Sequence, residues 1–293
     1  MQLFVNDLTV MDFSYLCPER GMVGESWIVD VILDGALNDE SMVLDFGKVK
    51  KQLKRLIDDY VDHKLLVPAE HSYTEIRHHP QTEQVTVDFH RPEGRSIHLY
   101  CPPEAYAFVY AEEVTMDSVR DYLRDIIATH LPDNVEGLTL ELRTEELRTP
   151  YYHYTHGLKK HDGNCQRIAH GHRSKVDVWR DEHHAPDLQC YWAERWQDIY
   201  IGTREDLVKP GELHLSPKAC QLDLDEHYGF AYEASQGLFE LVIPMRETEI
   251  VETDSTVECL AQFMADEHKR LNPESTYQVM AYEGVGKGAI ASA

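Results

Sequence analysis

The strongest constraint on the fold is an internal duplication, because two similar halves must build two copies of one structural unit. Each copy contains a strand-like stretch that runs into proline, then an acidic turn with threonine, then an amphipathic helix. The matching segments are 12–16 with 153–157, 23–31 with 170–178, and 99–127 with 241–267. We therefore predict two repeats of roughly 145 residues each, over 1–147 and 148–293.

Each repeat has the pattern of a sheet covered by helices. Alternating apolar residues over 27–33 predict a strand, and apolar residues at helical spacing predict helices over 45–61 and 114–130. The second repeat keeps its strands and a helix over 255–270. Its earlier helix has little support over 202–217, where glycine and proline interrupt the pattern. This order is typical of the α+β class, with an antiparallel β-sheet and helices on one face in each repeat.

Composition argues against several classes of function. The chain of 293 residues is 42% hydrophobic, enough for a core, and its net charge of −24 argues against a nucleic-acid or anionic membrane surface. No long apolar run and no basic-then-apolar start is present, so neither a membrane span nor a secretion signal is expected. The six cysteines are scattered without a CxxC pair, which predicts reduced thiols and a cytoplasmic location.

A dense group of histidines follows the middle of the chain. His170 and His172 stand two apart in strand-like sequence, so their side chains project from one face. His156 lies in a second alternating stretch, and a hairpin of the two stretches would turn it towards the pair. Three imidazoles with an open fourth position form the pattern of a catalytic zinc site. A lone His-x-His pair lies more often on a solvated strand face, but the third histidine and nearby Cys165 favour a metal site here. The histidines at 153, 161, 183 and 184 are predicted to be surface residues.

These residues resemble the 6-pyruvoyl-tetrahydropterin synthase family, which includes the bacterial 6-carboxy-tetrahydropterin synthases of the queuosine pathway. His156, followed by Cys165 shortly before the His-Gly-His at 170–172, has the order of the family motif. Further family-like elements are the Asp-Phe helix start within 42–53, the Asp-His pair within 61–66, the Thr-x-Glu helix start within 254–264 and the final strand within 277–291. The resemblance implies two tandem tunnelling-fold (T-fold) units.

The resemblance also implies a cofactor, a substrate and residue roles. The cofactor is Zn²⁺, and the substrate is 7,8-dihydroneopterin triphosphate, which loses triphosphate to give a 6-pyruvoyl or 6-carboxy product. The implied ligands are His156, His170 and His172; the implied catalytic residues are Cys165 as base with Asp62 and His63 as a relay; the implied pterin contacts are Glu283, Thr256 and Glu258. Some of these residues also have a purely structural explanation, because Thr256 and Glu258 are residue types that suit a helix N-terminus.

The two repeats depart from the family in complementary ways. The first repeat has Tyr15, Val23 and Glu25 at the three histidine positions, so it is a degenerate copy without a metal site. The second repeat bears the zinc residues but has no counterpart of Asp62-His63, unless the segment 225–229 with His227 takes its place. We therefore predict one composite site per chain. Because family sites lie at subunit interfaces, the resemblance also implies a homo-oligomer.

Three functions are compatible with this pattern. The first is a zinc-dependent lyase, the second a tandem protein that binds zinc or a pterin without turnover, and the third a related pterin aldolase-type enzyme. The lyase would also need cations for its triphosphate leaving group. The densest basic group near the predicted site consists of Lys159, Lys160, Arg167, Arg173 and Lys175.

Overall fold

The computed structural model describes residues 1–293, which form four α-helices and three β-sheets. The first half contains β1 (Gln2–Cys17), β2 (Gly21–Gly35), α1 (Phe46–Tyr60), β3 (Leu65–Pro68), β4 (Thr74–His79), β5 (Gln84–Phe89), β6 (Ile97–Cys101), β7 (Tyr106–Val109), α2 (Met116–Ala128) and β8 (Val135–Arg143). The second half contains β9 (Tyr151–His156), β10 (His170–Arg180), β11 (His183–His184), α3 (Pro186–Arg195), β12 (Ile199–Thr203), β13 (Leu207–Val208), β14 (His227–Ala234), β15 (Gly237–Pro244), β16 (Thr248–Val251), α4 (Val257–Leu271), β17 (Tyr277–Tyr282) and β18 (Gly288–Ser292). None of the helices combines the length and apolar content that a bilayer crossing requires.

The first sheet has the strand order β7-β3-β1-β2-β8. Strands β1, β2 and β8 pair antiparallel, and the short strands β3 and β7 extend the edge in parallel. Strand β2 confirms the predicted alternation, because Val29, Val31 and Leu33 are buried in the core that also contains the inner faces of α1 and α2. Both predicted helices of this half are present, and each begins after a side-chain cap, Asp45 for α1 and Thr115 for α2.

The second sheet has the strand order β16-β12-β9-β10-β17-β18, with β11 paired to β10. The predicted later helix is confirmed as α4. The earlier helix is α3, a segment that the sequence pattern did not reveal, whereas 202–217 consists of strand ends, turns and short 3₁₀ segments. Helix α3 begins at Pro186, whose missing N–H costs nothing at a first helical position, and it buries Trp192. The architecture confirms the α+β class of two T-fold units.

A third sheet takes its strands from both halves, in the order β13-β14-β15-β6-β5-β4. The segment 69–98 supplies β4, β5 and the start of β6, and the second half supplies the other three strands. Strands β6 and β15 join the halves antiparallel, with Leu99 opposite Leu241. Because this sheet crosses the predicted boundary, the division into 1–147 and 148–293 remains a proposal.

Equivalent residues of the two halves meet each other, as expected for an approximate twofold axis. The aligned pairs that meet are Leu99 with Leu241, Ser14 with Thr155, and Gly24 with Gly171. The hydroxyls of Ser14 and Thr155 are 2.7 Å apart. A Cβ on Gly171 would lie 2.6 Å from Gly24 Cα and 2.5 Å from Ser14 Oγ. Glycine at both positions therefore lets β2 and β10 cross in direct backbone contact.

We expect Gly171→Ala to lower the free energy of unfolding by about 3 kcal/mol, because overpacking against backbone cannot be relieved by a rotamer change. The measurement is chemical denaturation. Gly211→Ala is the matched control, because a Cβ there meets nothing within 4 Å, and its unfolding free energy should change by less than about 0.5 kcal/mol. Equal stability of both variants would contradict the close crossing of the halves.

Candidate active site

The three predicted histidine ligands converge on one face of a hairpin. Strands β9 and β10 pair antiparallel with His156 directly opposite His170, and His172 follows two residues on. Their ring centroids are 4.6 to 5.8 Å apart, and each residue is at most 1% exposed. The geometric prediction from the two alternating stretches is confirmed.

The surroundings of the histidines fix which ring nitrogen points to the centre. His156 Nδ1 lies 2.8 Å from the Ser255 carbonyl, and His170 Nδ1 lies 3.0 Å from the Arg167 carbonyl. A carbonyl only accepts hydrogen bonds, so each Nδ1 carries the proton and each Nε2 keeps a free lone pair. This outer contact is the one that metal-binding histidines generally make.

The inner nitrogens have a spacing that suits a metal ion. His156 Nε2 and His172 Nε2 are 3.3 Å apart, and two lone pairs at that distance repel each other unless a cation lies between them. Tetrahedral zinc with Zn–N bonds of about 2.0–2.1 Å places its nitrogens about 3.3–3.4 Å apart. Burial, followed by the charge of neighbouring histidines, lowers the pKa of both His156 and His170. Both rings are therefore neutral, which is the form that binds metal, and the group fits Zn²⁺.

Asp12 supports this group from the other half of the chain. Its carboxylate lies 3.2 Å from His172 Nδ1 and accepts a hydrogen bond from Ser26 Oγ at 2.5 Å. Burial would raise the pKa of Asp12, but His172, Lys287 and Ser26 hold it well below its usual range. A buried carboxylate behind a histidine orients the ring. The sequence around Asp12 indicates only the start of a repeated segment and carries no motif that points to this role.

The predicted Asp-His pair also reaches this site from the first half. His63 Nδ1 lies 2.6 Å from Asp62 Oδ2, and Asp62 Oδ1 accepts the backbone N–H of Asp12 at 2.8 Å. His63 has a φ of +55°, a left-handed conformation that costs free energy in a non-glycine residue. Its N–H donates to the Asp12 carbonyl at 2.7 Å, which holds it there.

Cys165 lies between the two halves of the site. Its sulfur and ring nitrogens of His63 and His170 lie within 4.8 Å of one another. Burial would lower the pKa of His63, but hydrogen bonds with Asp62 and Cys165 raise it to about 10. His63 is therefore an imidazolium at neutral pH, poised beside the thiol. The Asp-His pair and the cysteine meet within one chain.

A hairpin turn fixes the loop that carries Cys165. Gln166 accepts the backbone N–H of Gln236 at 2.6 Å and donates to Ser235 Oγ at 2.9 Å. Gln236 in turn donates to Asn164 Oδ1 at 3.0 Å. Ser235 and Gln236 form the turn between β14 and β15, so the third sheet positions the loop that carries Cys165.

The three predicted pterin contacts lie in two different settings. Glu283 follows β17, and its Oε1 is 3.8 Å from His172 Nε2, which places it at the edge of the histidine group. Thr256 caps α4 by accepting the N–H of Cys259, and Glu258 is exposed in the first helical turn. The structure shows a capping role for Thr256 only, and the pterin role of both residues stays a prediction.

The second half has Asp198 at the position of His63, which corrects the sequence interpretation of His227. Asp198 precedes β12 as His63 precedes β3, and its φ of +53° matches the +55° of His63. His227 lies in the third sheet instead, where Nε2 is 3.0 Å from the Ser96 carbonyl. The suggestion that His227 replaces the Asp-His pair is therefore wrong.

A guanidinium fills the equivalent site of the first half. Arg20 donates to both carboxylate oxygens of Asp198 at 2.6 and 2.9 Å and to the hydroxyl of Tyr15 at 3.1 Å. His153 lies 3.2 Å from Arg20 and 3.5 Å from Glu25, so the prediction that His153 is a surface residue is wrong. The cationic side chain of Arg20 thus takes the place of a metal in the first half. The other three predicted surface histidines, at positions 161, 183 and 184, are exposed as predicted.

Fold and site together define a class of protein, a tandem T-fold chain with a buried three-histidine group beside a cysteine and an Asp-His pair. Residues 18–149 match the family model of 6-pyruvoyl tetrahydropterin synthase. This match supports the resemblance to the 6-pyruvoyl tetrahydropterin synthase family that the motifs predict. The match covers the half that contains Asp62 and His63, and the three histidines lie beyond it.

Solved structures of two organisms show limited similarity to the chain. Plasmodium falciparum 6-pyruvoyl tetrahydropterin synthase is 10% identical, with a TM-score of 0.39 over 48% of this chain and 90% of that chain. The Plasmodium vivax enzyme is 12% identical, with a TM-score of 0.37 over 49% of this chain and 97% of that chain. Comparison with curated proteins gives no match.

Proposed function

We propose that the protein is a zinc-dependent lyase that converts 7,8-dihydroneopterin triphosphate to 6-carboxy- or 6-pyruvoyl-tetrahydropterin with loss of triphosphate. The observation that carries this proposal is the convergence of three buried imidazoles beside Cys165 and His63. A protein that only stored zinc would need neither the thiol nor the imidazolium. The family match supports a pterin substrate.

Each residue of the site has a task that its contacts support. His156, His170 and His172 would hold Zn²⁺, which supplies a Lewis acid next to the substrate side chain. Cys165 would take a proton from a carbon of that side chain. His63, whose ring nitrogen lies within 4.8 Å of the Cys165 sulfur, would assist that proton transfer, and Asp62 holds the His63 ring in place.

Glu283 would bind the pterin ring. A carboxylate can accept two hydrogen bonds from the amino group and ring N–H of a pterin, and charge-assisted hydrogen bonds of this kind are stronger than neutral ones. Lys287 lies 3.9 Å from Glu283 and 3.3 Å from Asp12, and its charge contributes to the lowered pKa of Asp12. Asp12 would act through His172 rather than on the substrate.

The test is incubation of the metal-loaded protein with 7,8-dihydroneopterin triphosphate, with triphosphate release and the pterin product measured separately. Turnover is expected, and the identity of the product decides between the carboxy and pyruvoyl reactions. Stoichiometric zinc without turnover would contradict the lyase proposal and favour a non-catalytic pterin- or zinc-binding protein.

Glu283→Gln is expected to raise KM by roughly 10- to 100-fold, the value of a hydrogen bond to a charged group. Turnover at saturating substrate should fall less, because the amino group and ring N–H that Glu283 would bind keep their bonds, whereas the bonds that change lie in the side chain and the neighbouring part of the ring. Glu252→Gln is the matched control, since Glu252 is exposed and pairs with Arg204. An unchanged KM in Glu283→Gln would remove Glu283 from the pterin site.

A further inference from the structure

We propose that Lys64 and Arg167, one from each half of the chain, form the subsite that binds the polyphosphate group of the substrate. This inference rests on the proposed function, and it names the residues that read the anionic end of the substrate. The inference depends on which cations near Cys165 have a carboxylate partner and which have none.

Four of the five cations that the sequence suggested for this role are occupied elsewhere. Lys159 bonds Asp206, Lys160 bonds Asp254 at 2.6 Å, Arg173 donates to the Glu145 carbonyl at 2.9 Å, and Lys175 lies 3.7 Å from Asp177. Their charges are compensated or committed to the backbone. Arg173 also has no carboxylate partner, but its guanidinium stacks on Tyr151 at 4.1 Å. Of that group, only Arg167 both lacks a carboxylate partner and contacts His63, and Lys64 lies next to His63 in the chain.

Arg167 and Lys64 are buried, and neither forms an ion pair with a carboxylate. Arg167 is 5% exposed and donates to Gln236 Oε1 at 3.0 Å and to the His63 carbonyl at 3.4 Å. Lys64 is 8% exposed and donates only to the Tyr106 carbonyl, at 3.4 Å. All of these acceptors are neutral. A buried cation without a counter-charge costs several kcal/mol, so two of them together favour an anionic ligand.

The position of the two cations fits the far end of a substrate held at the histidines. Lys64 directly follows His63 in the chain, and Arg167 touches the His63 carbonyl. Gln236, which holds Arg167, and Glu104 line an open cleft of about 800 Å³ between the end of the β4–β5 hairpin and the β14–β15 turn. Lys64 and Arg167 do not themselves line this cleft, so they would hold a polyphosphate next to His63, in a protein whose net charge of −24 would otherwise repel it.

The direct probe is inorganic tripolyphosphate, titrated into the metal-loaded full-length protein by calorimetry at pH 7 and low salt. We expect Lys64→Met and Arg167→Met each to weaken its binding about 10- to 100-fold, because each removes a charge-assisted contact. Lys160→Met, which removes an exposed cation already paired with Asp254, should change the affinity less than twofold. Glu104→Gln should strengthen binding several-fold, because it removes a nearby negative charge.

A second measurement does not depend on the fold of the methionine variants. Burial and the charge of Arg167 lower the pKa of Lys64 to about 8, while Glu104 and Asp59 act in the opposite direction. Lys64 is charged below that pH and neutral above it, so tripolyphosphate affinity should fall as pH rises from 7 to 9. Lys64→Arg keeps its charge over this range. Its loss of tripolyphosphate affinity between pH 7 and 9 should therefore be at least fivefold smaller than that of the unchanged protein.

The outcomes separate this inference from the proposed function. Tripolyphosphate affinity that depends on Lys64 and Arg167, in a protein without turnover, would support the subsite and refute the lyase. Turnover with unchanged tripolyphosphate affinity in both methionine variants would refute the subsite alone. Equal losses in Lys160→Met would show that only net charge matters, which also refutes it.

Discussion

Replacing His172 with alanine is expected to remove the bound divalent ion and the lyase activity together. A zinc site has an apparent binding free energy of about 10–16 kcal/mol with four ligands, so one imidazole contributes about 3–4 kcal/mol. The affinity for zinc should therefore fall roughly 10²- to 10³-fold. Metal analysis after dialysis against a weak chelator, with turnover measured on the same sample, tests this expectation.

The matched control is His161→Ala, in the same histidine-rich segment. His161 is exposed, and its ring accepts only the backbone N–H of Gly163. This variant should keep both metal and turnover. Retention of metal by His172→Ala, or its loss from His161→Ala, would show that the buried group is not the metal site.

Replacing His63 or Cys165 with alanine is expected to lower kcat about 10²- to 10⁴-fold while the metal stays bound, because both residues serve one proton transfer. The two side chains act as a unit, so the double variant should be little worse than the more damaged single variant. Kinetics of the four proteins, with zinc measured in each, give the coupling energy directly.

Two controls test the composite nature of the site. Asp198→Ala changes the residue of the second half that is equivalent to His63, and His227→Ala changes the histidine that sequence analysis considered as a substitute. Both should keep full turnover per folded molecule. Full activity in His63→Ala, or additive losses in the double variant, would contradict a site built from the two halves.

The histidine group could be predicted from sequence because its geometry is local. Residues two apart in a strand share a face, and the two strands of the hairpin are consecutive in the chain, joined by the loop 157–169. Asp12 and Asp198 could not be found in this way. Asp12 reaches His172 across the crossing of β2 and β10, and Asp198 takes the position of His63 through backbone conformation rather than sequence likeness.

The secondary-structure elements show the same contrast between features set by neighbouring residues and features set by residues far apart in the chain. Helices α1, α2 and α4 have capping residues and a clear apolar face, so sequence patterns predicted them. Helix α3 has no side-chain cap, and its pattern was not recognised. The third sheet could not be predicted, because it pairs Leu99 with Leu241, and strand pairing at such separation leaves no local pattern.

X-ray absorption spectroscopy of the zinc-loaded protein tests the central claim most directly, because two overlapping groups compete for the ion and share His170. The account predicts three imidazole nitrogens at about 2.0–2.1 Å, one further light ligand and no sulfur. A sulfur shell at about 2.3 Å would place the metal on His63, Cys165 and His170, and would contradict the proposed division between three metal ligands and a free catalytic thiol.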